Sequence, residues 1–102
     1  MAFTSTLAKS DGRLTYTPAG RVDLESIEAF TTGLVAAARD AKADGVVLVV
    51  DLSQLAFMIS RGLRALTLAQ REGADIRLAR PNEDMADILR ISRYDKLFQV
   101  EA

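Results

Sequence analysis

Cysteine and histidine are both absent from the 102 residues. Without cysteine there is no disulfide framework, no thiol nucleophile and no thiolate metal site. Without histidine the commonest general base and the commonest zinc ligand are missing. Ser-His-Asp, Cys-His and histidine-based metal chemistry are therefore excluded. Carboxylates and lysines remain, so catalysis is disfavoured and no catalytic residue, metal site or cofactor is expected. No apolar run approaches the roughly 20 residues that span a bilayer. Met1-Ala2-Phe3-Thr4-Ser5-Thr6 has neither the basic region nor the apolar block of a signal peptide. The expectation is a cytoplasmic protein with no membrane insertion. Thirteen Lys and Arg against fourteen Asp and Glu leave a net charge of −1. That balance offers no basic field for nucleic acid or anionic lipid, so no direct nucleic-acid contact is expected. A protein or a small ligand is the better partner.

What is present is the composition of one soluble globular domain spanning residues 1–102, with 49% hydrophobic and 26% charged residues. Phe3 to Lys9 is threonine-rich with partial alternation and predicts a first strand. Ser10-Asp11-Gly12 is a hairpin signal, and Arg13 to Gly20 alternates as a second strand. Pro18 cannot donate to a ladder, which places an edge or a bulge near that strand's end. Asp23 is a candidate N-cap for a helix whose apolar positions Leu24, Ile27, Phe30, Leu34, Ala37 and Ala38 recur at three- and four-residue steps. Gly33 should weaken that helix by roughly 1 kcal/mol relative to alanine.

Asp44-Gly45 closes the helix and launches Val46 to Leu52. Such an unbroken β-branched run predicts a strand covered on both faces. Helix, buried strand and helix in succession make a parallel crossover unit. Ser53 to Ile59 is expected to be a connection whose apolar residues tuck against the sheet edge. A second helix begins at Ser60 with Leu63, Leu66 and Leu68 or Ala69 inward. Ile76 to Ala79 is a short strand. Asn82 caps a third helix from Glu83 to about Ile91, with Met85, Ile88, Leu89 and Leu97 as its apolar stripe. Leu97 to Val100 is a last short strand.

Open α/β sheets bind ligands at the carboxyl ends of their strands. That edge is expected to gather Gly20 to Asp23, Asp51 with Ser53, and Ile59 to Gly62. A phosphate on Ser60 would meet free backbone N–H groups and the positive end of a helix dipole. Arg64, four residues on, shares its helical face. The plain alternative is that Ser60 is only an N-cap, worth about 1 kcal/mol. Asp23 is equally compatible with capping, Asp51 with an ordinary strand end, Gly62 with close packing, and Arg61, Arg64 and Arg71 with a solvated face.

Gly20-Arg21-Val22-Asp23, the Val46 to Ser53 segment, Ser60-Arg61-Gly62-Leu63-Arg64-Ala65-Leu66 and the tail from Ile91 to Phe98 stand in an order and spacing that resembles the STAS domain of anti-sigma factor antagonists. The resemblance covers nearly the whole chain. It implies an α/β fold: a STAS-like mixed β-sheet of four to five strands with three main helices packed mostly on one face. It also implies a non-enzymatic partner-switching role. An anti-sigma factor serine kinase would bind the unmodified protein and phosphorylate Ser60, and a Ser/Thr phosphatase would reverse the step. Partner contacts would then involve Asp23, Asp51, Ser53, Ile59, Ser60, Arg61, Gly62 and Arg64. The chain departs from the family pattern at two positions. Ile59 stands where Asp or Ser is usual, and Arg61 stands where a small residue is usual. Two other roles fit the same resemblance. One is an unphosphorylated scaffold subunit, such as that of a lipid-asymmetry ABC transporter. The other is a small-ligand or nucleotide sensor using Asp23, Asp51 and the helix mouth.

Overall fold

A computed structural model of the chain describes residues 2–101. Its elements run β1 (Thr4–Ser10), β2 (Arg13–Val22), α1 (Ile27–Asp44), β3 (Val47–Asp51), β4 (Leu55–Met58), α2 (Ser60–Gln70), β5 (Ile76–Ala79), α3 (Glu83–Ile91), α4 (Tyr94–Leu97) and β6 (Gln99–Glu101). Asp11 and Gly12 both take positive φ, 51° and 74°, the geometry of a type I′ turn. That turn locks β1 antiparallel to β2 in an unbroken register from Ser10 opposite Arg13 to Thr4 opposite Ala19. The main sheet order is β1-β2-β3-β5-β6, with every pair beyond the hairpin parallel.

Strand β2 serves two partners along its length. Its first half, Arg13 to Tyr16, pairs with β3, and its last residues, Gly20 to Val22, pair in parallel with β4. The register shifts between Gly20 and Arg21, which is the irregularity expected near Pro18. Gly20 has φ 93°, and a Cβ there would stand 2.6 Å from the Ala2 carbonyl oxygen, so only glycine lets the chain pass. The segment expected to be a plain connection after β3 thus contributes a strand, and among the described residues the sheet has six.

The helices lie against one face. Ile27, Phe30, Leu34, Ala37, Ala38 and Ala41 of α1 join Leu14, Tyr16, Leu48 and Val50 of the strands and Leu63, Ala65, Leu66 and Ala69 of α2 in a single core. The small alanine stripe lets α1 approach both the sheet and α2 closely. Met85 and Leu89 of α3, with Phe98, close the far end.

Three expectations change. Leu24 is 75% exposed, because the chain makes turns from Leu24 to Ser26 and α1 begins only at Ile27. Strand β3 is covered by helices on one face, not both. Val49 is nonetheless buried, shielded by its register neighbours Thr15 and Arg77 on the helix-free side. Leu97 ends the single-turn α4 and is exposed, and the last strand starts at Gln99. Its place in the core is taken by Phe98.

Candidate functional site

The end of β4 leads straight into α2. The Ile59 amide donates to the Val22 carbonyl at 3.0 Å, which ties this corner to the end of β2. Ile59 itself is the N-cap residue, in extended conformation, and Ser60 is the first residue of the helix. Ser60 is therefore one position too late to cap, and no side chain caps α2. The reading of Ser60 as an N-cap is set aside, and its hydroxyl is left exposed on the first turn. The Gly62 amide closes back on the Ile59 carbonyl at 2.8 Å.

Gly62 is buried beneath this corner. A Cβ there would sit 2.3 Å from Met58 Cγ and 3.2 Å from Val22 Cγ1, so the glycine is what allows α2 to start against the sheet. Arg61 projects to one side, lining a shallow cleft with Ile27, Glu28, Thr31 and Thr32 of α1. Arg64 is exposed one turn further along α2. On the other side of Ser60 lies an open, mainly apolar groove of about 440 Å³. Phe57, Ile59 and Leu63 form one wall and Ile88 and Ile91 of α3 the other. Ile91 is 74% exposed.

Asp23 stands beside this corner, immediately after the Val22 that pairs with Met58. Its carboxylate accepts from the amides of Glu25 and Ser26 and from the Ser26 hydroxyl, at 3.0, 3.1 and 3.1 Å. Its cap function serves the turn before α1 and not the helix itself. Partial burial opposes ionisation, but the Ser26 hydroxyl and amide, the Glu25 amide and Arg21 outweigh it and hold the carboxyl below its usual range. The Arg21 guanidinium lies 4.6 Å from the centre of the Phe57 ring, a cation–π contact between the groove wall and the β2 end.

Asp51 and Ser53 do not join them. Ser53 precedes β4 and Ser60 follows it, so the whole four-residue strand stands between the two serines. Asp51 is buried with its carboxylate on the helix-free face, paired to Arg80 and accepting from the Ser53 amide at 2.9 Å. Burial pushes that carboxyl up, but the Ser53 amide and the Arg80 guanidinium more than reverse it and leave it lowered. The expected single patch therefore resolves into two sites. Ile59, Ser60, Arg61, Gly62, Arg64 and Asp23 gather at one corner. Asp51 belongs to a polar cleft with Arg13, Arg80 and Glu101, and Ser53 is tied to Asp51 through its amide. Among the described residues, no cluster of three acidic side chains could hold a metal ion.

Two groups escaped the sequence. Arg80 gave no signal as the partner of Asp51, because its left-handed backbone, φ 50°, is what turns it back over the sheet end. Ile91 did carry one, an isoleucine off the Met85-Leu89 stripe with no core position to fill.

Residues 5–99 match the family model described as Mlab, STAS domain. Among curated proteins, none matches the chain. Among solved structures it is similar to an anti-sigma factor antagonist from Mycobacterium paratuberculosis, with a TM-score of 0.82 and 22% identity over 98% of this chain and 86% of that one. It is also similar to the anti-sigma factor antagonist SpoIIAA in its unphosphorylated form, with a TM-score of 0.74 and 15% identity over 97% and 89% of the two chains. The Bacillus cell fate determinant SpoIIAA in its phosphorylated form superposes with a TM-score of 0.63 and 17% identity over 99% and 92%.

Proposed function

The chain belongs to the STAS domain family, and on that premise we propose that it is an anti-sigma factor antagonist that switches partners through Ser60. The observation that carries this reading is an exposed serine on an uncapped helix start, bordered by an open apolar groove. An anti-sigma factor serine kinase docks over Ile59 and the groove, at the corner that the buried Gly62 makes possible, with Arg61, Arg64 and Asp23 at the rim. Phosphorylation adds about −1.5 to −2 charges to the first turn of α2. There the helix dipole and Arg64 stabilise it in the free protein, the dipole by about 0.3–1 kcal/mol. In the complex the same dianion would be desolvated against apolar surface, which costs several kcal/mol unless it is paired. The modified form is thus released, and a Ser/Thr phosphatase resets it. The protein is substrate and partner in this cycle, not a catalyst, and it works in the cytoplasm. That SpoIIAA, a protein of this fold, is described in both forms supports such a cycle.

Incubation with the cognate kinase and ATP should place one phosphate on Ser60 by mass spectrometry, and Ser60→Asp should weaken kinase binding by at least tenfold. An unmodified wild type, or unchanged affinity in Ser60→Asp, would sink the proposal.

A second reading is a scaffold subunit, such as that of a lipid-asymmetry ABC transporter, in which Ser60 is never modified. Ile59 in place of an acidic or hydroxyl residue favours it, because the residue beside the serine then extends the apolar groove. In that case Ser60→Ala has no regulatory effect and co-purification recovers a transporter ATPase. The sensor reading loses its second carboxylate, since Asp51 is engaged by Arg80 on the other side of the sheet.

A further inference from the structure

All seven residues of β1 are exposed, and the strand forms one edge of the sheet. Natural edges are normally blunted by proline, bulges, short length, a covering element or charged side chains, lysine above all. β1 has no proline and no break in its register, and its single charge, Lys9, is held to Asp44 of α1 at 3.1 Å. From this open edge we infer that the chain forms a two-fold homodimer by antiparallel pairing of β1 with β1 of a second copy.

The hairpin fixes which backbone groups are free. In a two-residue type I′ hairpin the pair flanking the turn, Ser10 and Arg13, exchanges both hydrogen bonds, and the pairs then alternate. Ala8, Thr6 and Thr4 are therefore bonded inward to β2. Ser5, Leu7 and Lys9 turn their N–H and C=O groups outward. A two-fold axis through Leu7 uses all three. It sets Leu7 opposite Leu7, and Ser5 opposite Lys9 on either side, with two hydrogen bonds at each pair.

The side chains agree with that register. Leu7 is 49% exposed, and its register partner Tyr16 places it on the helix-bearing face, so the two copies of Leu7 would cover each other. Lys9 meets a hydroxyl and not a second lysine. Thr4 meets Ser10, and Thr6 meets Ala8. No like charges oppose one another, which is the self-complementarity that an isologous interface demands. The joined sheet would run continuously through both copies with helices on the same side.

Sedimentation equilibrium of the full chain from about 10 μM to about 1 mM should show the mass rising from monomer to dimer. Leu7→Pro removes an outward N–H without touching the β1–β2 ladder, and it should remain monomeric with an unchanged far-ultraviolet spectrum. As the chain has no cysteine, Leu7→Cys offers an independent readout. Opposed residues at such a pair lie about 5.5 Å apart between Cα atoms, within disulfide reach. Mild oxidation should link Leu7→Cys at least tenfold faster than Leu24→Cys, a control at an exposed leucine outside the edge. A wild type that stays monomeric across the range, a Leu7→Pro that dimerises like wild type, or equal crosslinking of the two cysteine variants would each overturn the inference.

Discussion

Gly62 and Gly33 are held by what stands opposite them. Alanine at Gly62 would gain up to about 1 kcal/mol of helix propensity. Its Cβ, however, would fall inside the buried Met58 side chain and press on Val22. Overpacking of that kind costs about 1–3 kcal/mol. Gly62→Ala is therefore expected to lower Tm, measured by calorimetry, and to shift the start of α2. Gly33 looked like a weak point in α1. A Cβ there would lie 2.8 Å from the Tyr16 hydroxyl, so the glycine is a notch for that ring. The hydroxyl is buried with no hydrogen-bond partner. Burial is the leading influence on the phenol and pushes its pKa up. Tyr16→Phe should be neutral or stabilising, since it deletes an unpaired polar atom. Gly33→Ala should be destabilising alone and better tolerated in Tyr16→Phe. A double-mutant cycle in urea reads the coupling, and strict additivity would refute the notch.

Among the elements, α3 is held at its start by one side chain. Asn82 accepts from the Met85 amide at 2.9 Å and donates to the Leu55 carbonyl at 2.7 Å, joining the α3 cap to β4. Asn82→Ala should cost about 1–2 kcal/mol. In a domain of this size that lowers Tm by about 4–8 °C for each kcal/mol. The cap was legible because a capping residue followed by acidic residues and an apolar stripe is a local pattern. Strand β4 was not legible. Leu55-Ala56-Phe57-Met58 has no β-branched residue and no clean alternation, and it is a strand only because the last residues of β2 offer it a ladder. Ser60 was displaced from cap to first turn by a similar cause, since the tie from Ile59 to Val22 sets where α2 begins.

Across the whole molecule, three carboxylates, Asp23, Asp51 and Glu101, are held below their ordinary range. For Glu101 the leading cause is its bond to Arg13, with Arg77 adding to it and partial burial opposing. A depressed folded-state pKa means the unfolded chain binds protons first. Stability from these groups is then fully present above about pH 4 and is lost as pH falls through the folded values. Urea midpoints should fall on acidification below about pH 4, and Asp51→Asn should show a flatter fall from a lower starting stability. An unchanged acid slope in that variant would show that the ionisation of Asp51 contributes nothing to the fall.

The sequence by itself determined every element with its own period. The alternation of β2, the α1 stripe, the apolar run of β3 and the Asp-Gly turn all rest on contacts between neighbours, which short-range chemistry dictates. It also determined that Ser60 and Gly62 stand together, since both lie in one turn. Only the tertiary structure decided what Asp51 does. Arg80, 29 residues further along the chain, pairs with Asp51 on the helix-free face of the sheet, away from the Ser60 corner. The groove beside Ser60 was decided the same way, because its walls come from the β4–α2 corner and from α3, which lie far apart in the chain.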